Sequence, residues 1–196
     1  TITLCNYYLD KMPEDGTEET AARRAEVRFI RAYNYYTVMD LYGNAAFVEH
    51  VGEKGAYYTR DKFFTYVKNE LTELEKDLKE PGKNTYGRID KAAAWMMLSR
   101  LYLNSQVYTG KEQWEKAQEY AEKVLNNGYY ELFENSKTDE VTGKKYAAIN
   151  PNTNERYTAY QMLFLADNDK CRGGKEPELP VLQNGHKNKR KCGEEG

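Results

Sequence analysis

Apolar residues recur at helical spacing through most of the first 130 positions, and the pattern breaks down beyond them. The clearest stretch is AEVRFIRAYNYYTVMDLYG, which ends at Gly43 and places Phe29, Ala32, Tyr33, Tyr36 and Met39 on one helical face. This predicts a long first helix from near Glu18 to Gly43, where glycine can adopt the left-handed cap. A short loop with Ala45, Ala46 and Phe47 follows. A second helix is predicted from Thr59, its N-cap, to about Leu78, with Phe63, Val67, Leu71, Leu74 and Leu78 three or four positions apart. Glu80, Pro81 and Gly82 end it.

A third helix is expected from Ile89 to Val107. Between Ala92 and Leu103 only Ser99 and Arg100 are strongly polar, so most of its sides should be covered. The fourth runs from Glu112 to Leu125, with Trp114, Ala117, Tyr120, Ala121 and Val124 inward and Asn126, Asn127 and Gly128 closing it. After Tyr130 polar residues accumulate. Residues 134–156 read as a long loop or hairpin, and Thr158 to Asp169 as one more helix. Trp95, Leu98, Ser99 and Tyr102, followed by Ala117, Ala121 and Val124, resemble the tetratricopeptide alternation of small and large residues. The first pair of helices repeats it loosely. Two such hairpins would bury their faces against each other.

Composition changes this picture in one respect. The chain has 18 tyrosines against 6 phenylalanines and 2 tryptophans, so tyrosine fills faces where leucine is the default. Such rings serve either as amphipathic packing or as flat surfaces for a ligand such as sugar. A net charge of −2 gives no electrostatic reason to expect nucleic acid or an anionic membrane as partner. No apolar run is long enough to span a bilayer. TITLCNYYLD lacks the basic and apolar regions of a signal peptide, so the chain is expected to start within a mature protein or to be cytosolic. Cys5, Cys171 and Cys192 are too scattered for a disulfide framework or a zinc site.

Three segments in combination resemble the SusD/RagB family of starch- and glycan-binding outer-membrane lipoproteins: AEVRFIRAYNYYTVMDLYGNAAFV, RIDKAAAWMMLSRLYLNSQVYTGKEQWEKAQEYAEKVLNNGYYEL, and YQMLFLADNDK followed by ELPVLQNG. The likeness runs from Asn6 to Gly185. It implies a mainly α fold, with tetratricopeptide-like hairpins over about 18–128 and a loop-rich part over 129–185, together a partial SusD-like domain within 1–185. It also implies cell-surface capture of an oligosaccharide and its delivery to a SusC-like TonB-dependent transporter, without catalysis. Residues 186–196 fit no part of the family and read as a disordered tail. TITLC lacks the small residues of a lipobox, so Cys5 reads as an ordinary cysteine and a lipid anchor is not expected within this sequence. The glycan site is expected to be incomplete in a chain truncated at both ends.

Candidate chemistry is sparse. Asp167, Asn168 and Asp169 form the best oxygen cluster, and some family members carry calcium. Asp167 and Asp169 are therefore the metal candidates, against the reading their spacing favours, a turn at a helix end. Tyr129, Tyr130, Tyr157 and Tyr160 lie outside the tight hairpins and are the candidate stacking residues, whereas Trp95 and Trp114 are placed on core faces. His50 and His186 have no acid or nucleophile partner in a recognisable motif, and Glu70, Glu73, Glu75 and Asp77 read as solvent-facing, so an enzyme is not expected. The basic run Lys187, Lys189, Arg190 and Lys191 reads as part of the solvated tail. The alternative reading is a helical protein-interaction module without sugar affinity.

Overall fold

The structure is a computed structural model that describes residues 1–130 except 13 and 86. Thr1–Asn127 form one compact unit, and of the second, which begins at Gly128, residues 128–130 are described. The boundaries expected at 185 and 186, and the extra helix from Thr158, lie outside the described residues.

The chain is mainly α. Helix α1 (Ile2–Lys11) precedes the long α2 (Glu18–Tyr42). Then come a two-stranded antiparallel hairpin, β1 (Ala45–Phe47) and β2 (Ala56–Tyr58), and helices α3 (Arg60–Leu74), α4 (Lys91–Leu103), α5 (Ser105–Thr109) and α6 (Trp114–Leu125). Helix α2 packs on α3 and α4 on α6; α3 against α4 joins the two pairs, while α1 lies along α2.

The limits of α2 match the reading from sequence, and for the expected reasons. Thr17 Oγ1 accepts the Thr20 N–H at 3.2 Å, and Glu18 and Glu19 sit in the first turn, where the helix dipole favours negative charge. At the other end Gly43 takes φ 76°, and its N–H closes on the Met39 carbonyl at 2.9 Å. An added Cβ there would also lie 3.1 Å from the Arg60 guanidinium. Ala22, Ala25, Phe29, Ala32, Tyr36 and Met39 form the buried stripe. Tyr33 is only half-buried; the fully enclosed ring is Tyr35. Tyr35 packs on Phe47, Phe63 and Tyr66 at 4.8–5.5 Å between ring centroids. Its hydroxyl donates to the Val48 carbonyl at 2.6 Å and accepts the Val48 N–H at 2.9 Å.

Elsewhere the local boundaries differ from expectation. The segment around Ala45–Phe47, read as a loop, is a strand paired with β2 in the register Ala45 to Tyr58 and Phe47 to Ala56. Helix α3 stops at Leu74 rather than near Leu78, because Glu75 and Asp77 bond back three residues instead of four; Leu78 is still buried. The third helix does not run unbroken to Val107. At Asn104 the side-chain amide joins the backbone N–H in bonding the Arg100 carbonyl, and the chain restarts as α5. Helix α4 begins at Asp90, whose carboxylate accepts the Ala92 and Ala93 N–H groups.

Candidate functional site

Residues placed by sequence reasoning separate into three groups. Tyr129 and Tyr130 meet edge to face, 4.9 Å between centroids at 86°, with Tyr129 exposed and Tyr130 half-buried. Tyr157, Tyr160, Asp167 and Asp169 lie outside the described residues, as do His186 and the basic run. Among the described residues no group of three His, Cys, Asp or Glu side chains could hold a metal ion. Trp114, read as a packing residue, is instead 53% exposed, since it opens the first turn of α6 ahead of the stripe Ala117, Tyr120 and Val124. Trp95 is half-buried on α4, with its indole N–H donating to Glu75 at 3.0 Å.

Glu70, Glu73 and Glu75, read as solvent-facing, and His50, read as unpartnered, are all paired. Glu70, on α3, accepts two bonds from Arg28 of α2, at 3.0 and 2.7 Å, and lies 3.6 Å from Arg31. The Arg28 guanidinium is held well above its ordinary pKa, chiefly by the Glu70 hydrogen bonds. Arg31, buried, also reaches Asn6 of α1 and Glu49. His50 Nδ1 lies 2.7 Å from Asp10, whose second oxygen accepts the Val51 N–H at 3.0 Å. Donating to the Asp10 carboxylate raises the His50 pKa; the Val51 N–H and His50 lower that of Asp10.

These groups line a cleft of about 590 Å³ along α1 and α2, with Arg24, Thr17 and Thr20 at its edge. Its charges are already spent on one another. Arg28 is taken up by Glu70 and Glu73, and Arg24 by Glu14 and the carbonyls of Leu9 and Met12. The arrangement is a structural clamp between elements, and its chemistry suits stability more than recognition.

A second cleft, about 390 Å³, opens where α2 faces α4 and α5, lined by Tyr33, Tyr36, Thr37, Asp40, Leu41, Arg100, Asn104 and Tyr108. Here Thr37, Asn104 and Tyr108 are bonded within the protein, but one Asp40 oxygen and the Arg100 guanidinium have no partner among the described residues. Tyr108 donates its hydroxyl hydrogen to Asp40 Oδ1 at 2.7 Å, and its oxygen lies 3.4 Å from the Tyr36 hydroxyl. Burial, with these two contacts, pushes the Tyr108 phenol pKa up, so it stays a donor. Asp40 and Arg100 form no ion pair with each other among the described residues. Sequence reasoning passed over this site, although two signals marked it. Arg100 interrupts an otherwise apolar helix, and Asp40 places negative charge in the last turn of α2, where the dipole disfavours it.

No family model matches the chain. Over 193 residues it is 38% identical to the starch-binding protein SusD of Bacteroides thetaiotaomicron, an alignment that takes in 95% of this chain. The chain belongs to the SusD/RagB family. It spans 30% of the length of that relative. Solved structures share the fold. A SusD-like carbohydrate-binding protein of Bacteroides fragilis superposes with a TM-score of 0.58 at 22% identity, covering 69% of this chain and 28% of its own. A laminarin-binding SusD-like protein gives 0.58 at 18% identity, covering 74% and 34%. The mainly helical body predicted from periodicity is thus the body that family members share.

Proposed function

We propose that this chain is the helical part of a non-catalytic glycan-capturing protein. It acts at the bacterial outer-membrane surface, anchored by lipid, and hands oligosaccharide to a SusC-like TonB-dependent transporter. The observation that carries this reading is the 38% identity over nearly the whole chain to a starch-binding protein. The laminarin-binding neighbour, which shares the fold, is consistent with glycans as the ligand class. Recognition would be non-covalent: ring faces stack on pyranose rings while Asn, Asp, Gln and Arg side chains read hydroxyls. Tyr129, Tyr130, Tyr157 and Tyr160 are the stacking residues assigned on this reading, and Asp167 with Asp169 the candidate calcium ligands.

The test is affinity electrophoresis and calorimetry of the chain with soluble starch and laminarin. Retardation by at least one polysaccharide, reduced when Tyr129 and Tyr130 become alanine, is the expected result. Transporter coupling is tested separately, by co-purification with a SusC-like TonB-dependent transporter. A specific observation favours a second reading, a tetratricopeptide-like interaction module. Leu41, Tyr42, Leu103 and Val107 are 59–74% exposed, which suits a protein partner. Capture of a protein partner that is indifferent to sugar, with no retardation in any gel, would select it.

A further inference from the structure

We propose that the cleft between α2 and α4–α5 is itself a sugar-binding subsite, taking one or two rings of a neutral glycan. This inference rests on the glycan-capture reading and gives it a place on the helical scaffold. Four features of the site lead to it, beginning with size. A volume of about 390 Å³ lies at the low end of small-molecule sites, which run from about 300 to 1,000 Å³.

The second feature is the character of the walls. Tyr33 is half-buried, and its ring centroid is 6.5 Å from that of Tyr36, which in turn meets Tyr108 at 90°. One side of the cleft is therefore a supported group of aromatic rings, the surface on which a pyranose packs its C–H groups. Helix α2 supplies Tyr33 and Asp40, and α4 supplies Arg100.

The third is hydrogen-bonding capacity left over. Sugar hydroxyls donate and accept together, so a site for them needs a fixed acceptor and a fixed donor facing one gap. Asp40 is the acceptor. Tyr108 holds one of its oxygens at 2.7 Å and leaves the other available. Arg100 is the donor; its guanidinium has no hydrogen-bond or ion-pair partner among the described residues, and only its backbone carbonyl is engaged. The larger cleft beside α1 fails this criterion, because Arg28 and Arg31 already bond carboxylates and Arg24 bonds Glu14 and two carbonyls.

The fourth is charge. Asp40 and Arg100 cancel, so the cleft has no preference for an anion, and Asp40 would repel a uronic acid or a phosphate. A neutral hexose chain fits.

The experiment is a titration of the full chain with maltotriose, chosen because the identified relative binds starch. It is followed by calorimetry and by the backbone amide NMR signals of Thr37 and Asn104, which line the cleft. Maltotriose is expected to shift both signals. Arg100→Ala and Asp40→Asn are each expected to weaken binding at least tenfold with unchanged circular dichroism, and to abolish the shifts at Thr37 and Asn104 at the maltotriose concentration that saturates the parent. Arg100 is exposed, so its replacement leaves folding intact. If maltotriose binds but neither signal moves and Arg100→Ala binds as well as the parent, the cleft is not the site, and the capture reading survives without it. If neither maltotriose, starch nor laminarin binds, both fall.

Discussion

Glu70 shows how a residue read from sequence as a solvated acid becomes a structural one. Its side chain is 12% exposed and joins Arg28 and Arg31, themselves 21% and 7% exposed, across the α2–α3 contact. Without Glu70, Arg28 keeps Glu73 and Arg31 keeps Glu49, so the loss is that of charged hydrogen bonds rather than of a fully stranded charge, about 1–3 kcal/mol. Glu70→Ala should therefore lower the urea unfolding free energy by about that amount. Glu70→Leu combined with Arg28→Met should lose less than the single change, because the guanidinium that loses those bonds is then absent. Two tyrosines of the same core make a sharper contrast. The Tyr35 hydroxyl bridges both polar groups of Val48, whereas the Tyr66 hydroxyl is buried without a partner among the described residues. Tyr35→Phe strands the Val48 N–H, while the Val48 carbonyl keeps the Asn6 amide, and should cost about 1–3 kcal/mol. Tyr66→Phe removes an unmet hydroxyl and should be neutral or slightly stabilising. A large loss at Tyr66 would reveal an ordered water bound there.

At the scale of elements, legibility followed how many residues each element buries. Helices α2 and α3 bury stripes that repeat every three or four residues, so their periodicity was visible. Helix α1 buries only Cys5 and Asn6, one of them polar, and no apolar stripe announced it. The β-hairpin has three-residue strands, too short for alternation to show, and its one buried anchor is Phe47. The break at Asn104 depends on a side chain capturing a carbonyl, which spacing cannot reveal. The second cleft was harder still, because Asp40 and Arg100 are 60 positions apart in sequence and only packing brings their helices together. Phe47 stacks on Tyr58 at 4.1 Å and touches Tyr35, Phe63 and Tyr66. It therefore ties the hairpin to both α2 and α3. Phe47→Ala should cost about 3–5 kcal/mol by calorimetry or urea titration, as for other buried aromatic truncations. A loss confined to hydrogen-exchange protection of Ala45 and Tyr58, with no change in global stability, would show that the hairpin is only an appendage.

Within the Thr1–Asn127 unit, the seating of α1 is mainly polar. Asn6 donates to the Val48 carbonyl and accepts from Arg31, Arg24 holds the carbonyls of Leu9 and Met12, and Asp10 holds His50 and Val51. A joint of this kind should respond to pH. His50 has its pKa raised above 6.5, so its contribution is complete below that value and fades as pH rises through the higher folded-state value. Asp10 has its pKa lowered below 3.8, so its contribution is complete above that value and fades as pH falls through the lower one. The pair is therefore strongest between pH 3.8 and 6.5. Glu49 and Glu53 reinforce the positive His50, and Arg31 reinforces the negative Asp10. Because both groups are open to solvent the effect is small, and a double-mutant cycle is needed to isolate it. The coupling between His50→Ala and Asp10→Asn, read from urea midpoints, should be larger at about pH 5 than at about pH 9. Cys5 is buried on the inward side of α1, so its thiol-labelling rate in a Cys171→Ser, Cys192→Ser background gives an independent reading. Labelling of His50→Ala should be faster than that of the parent at the lower pH, and the two rates should converge at the higher one. A coupling that is flat across this range would mean that Asn6 and Arg31 alone seat the helix.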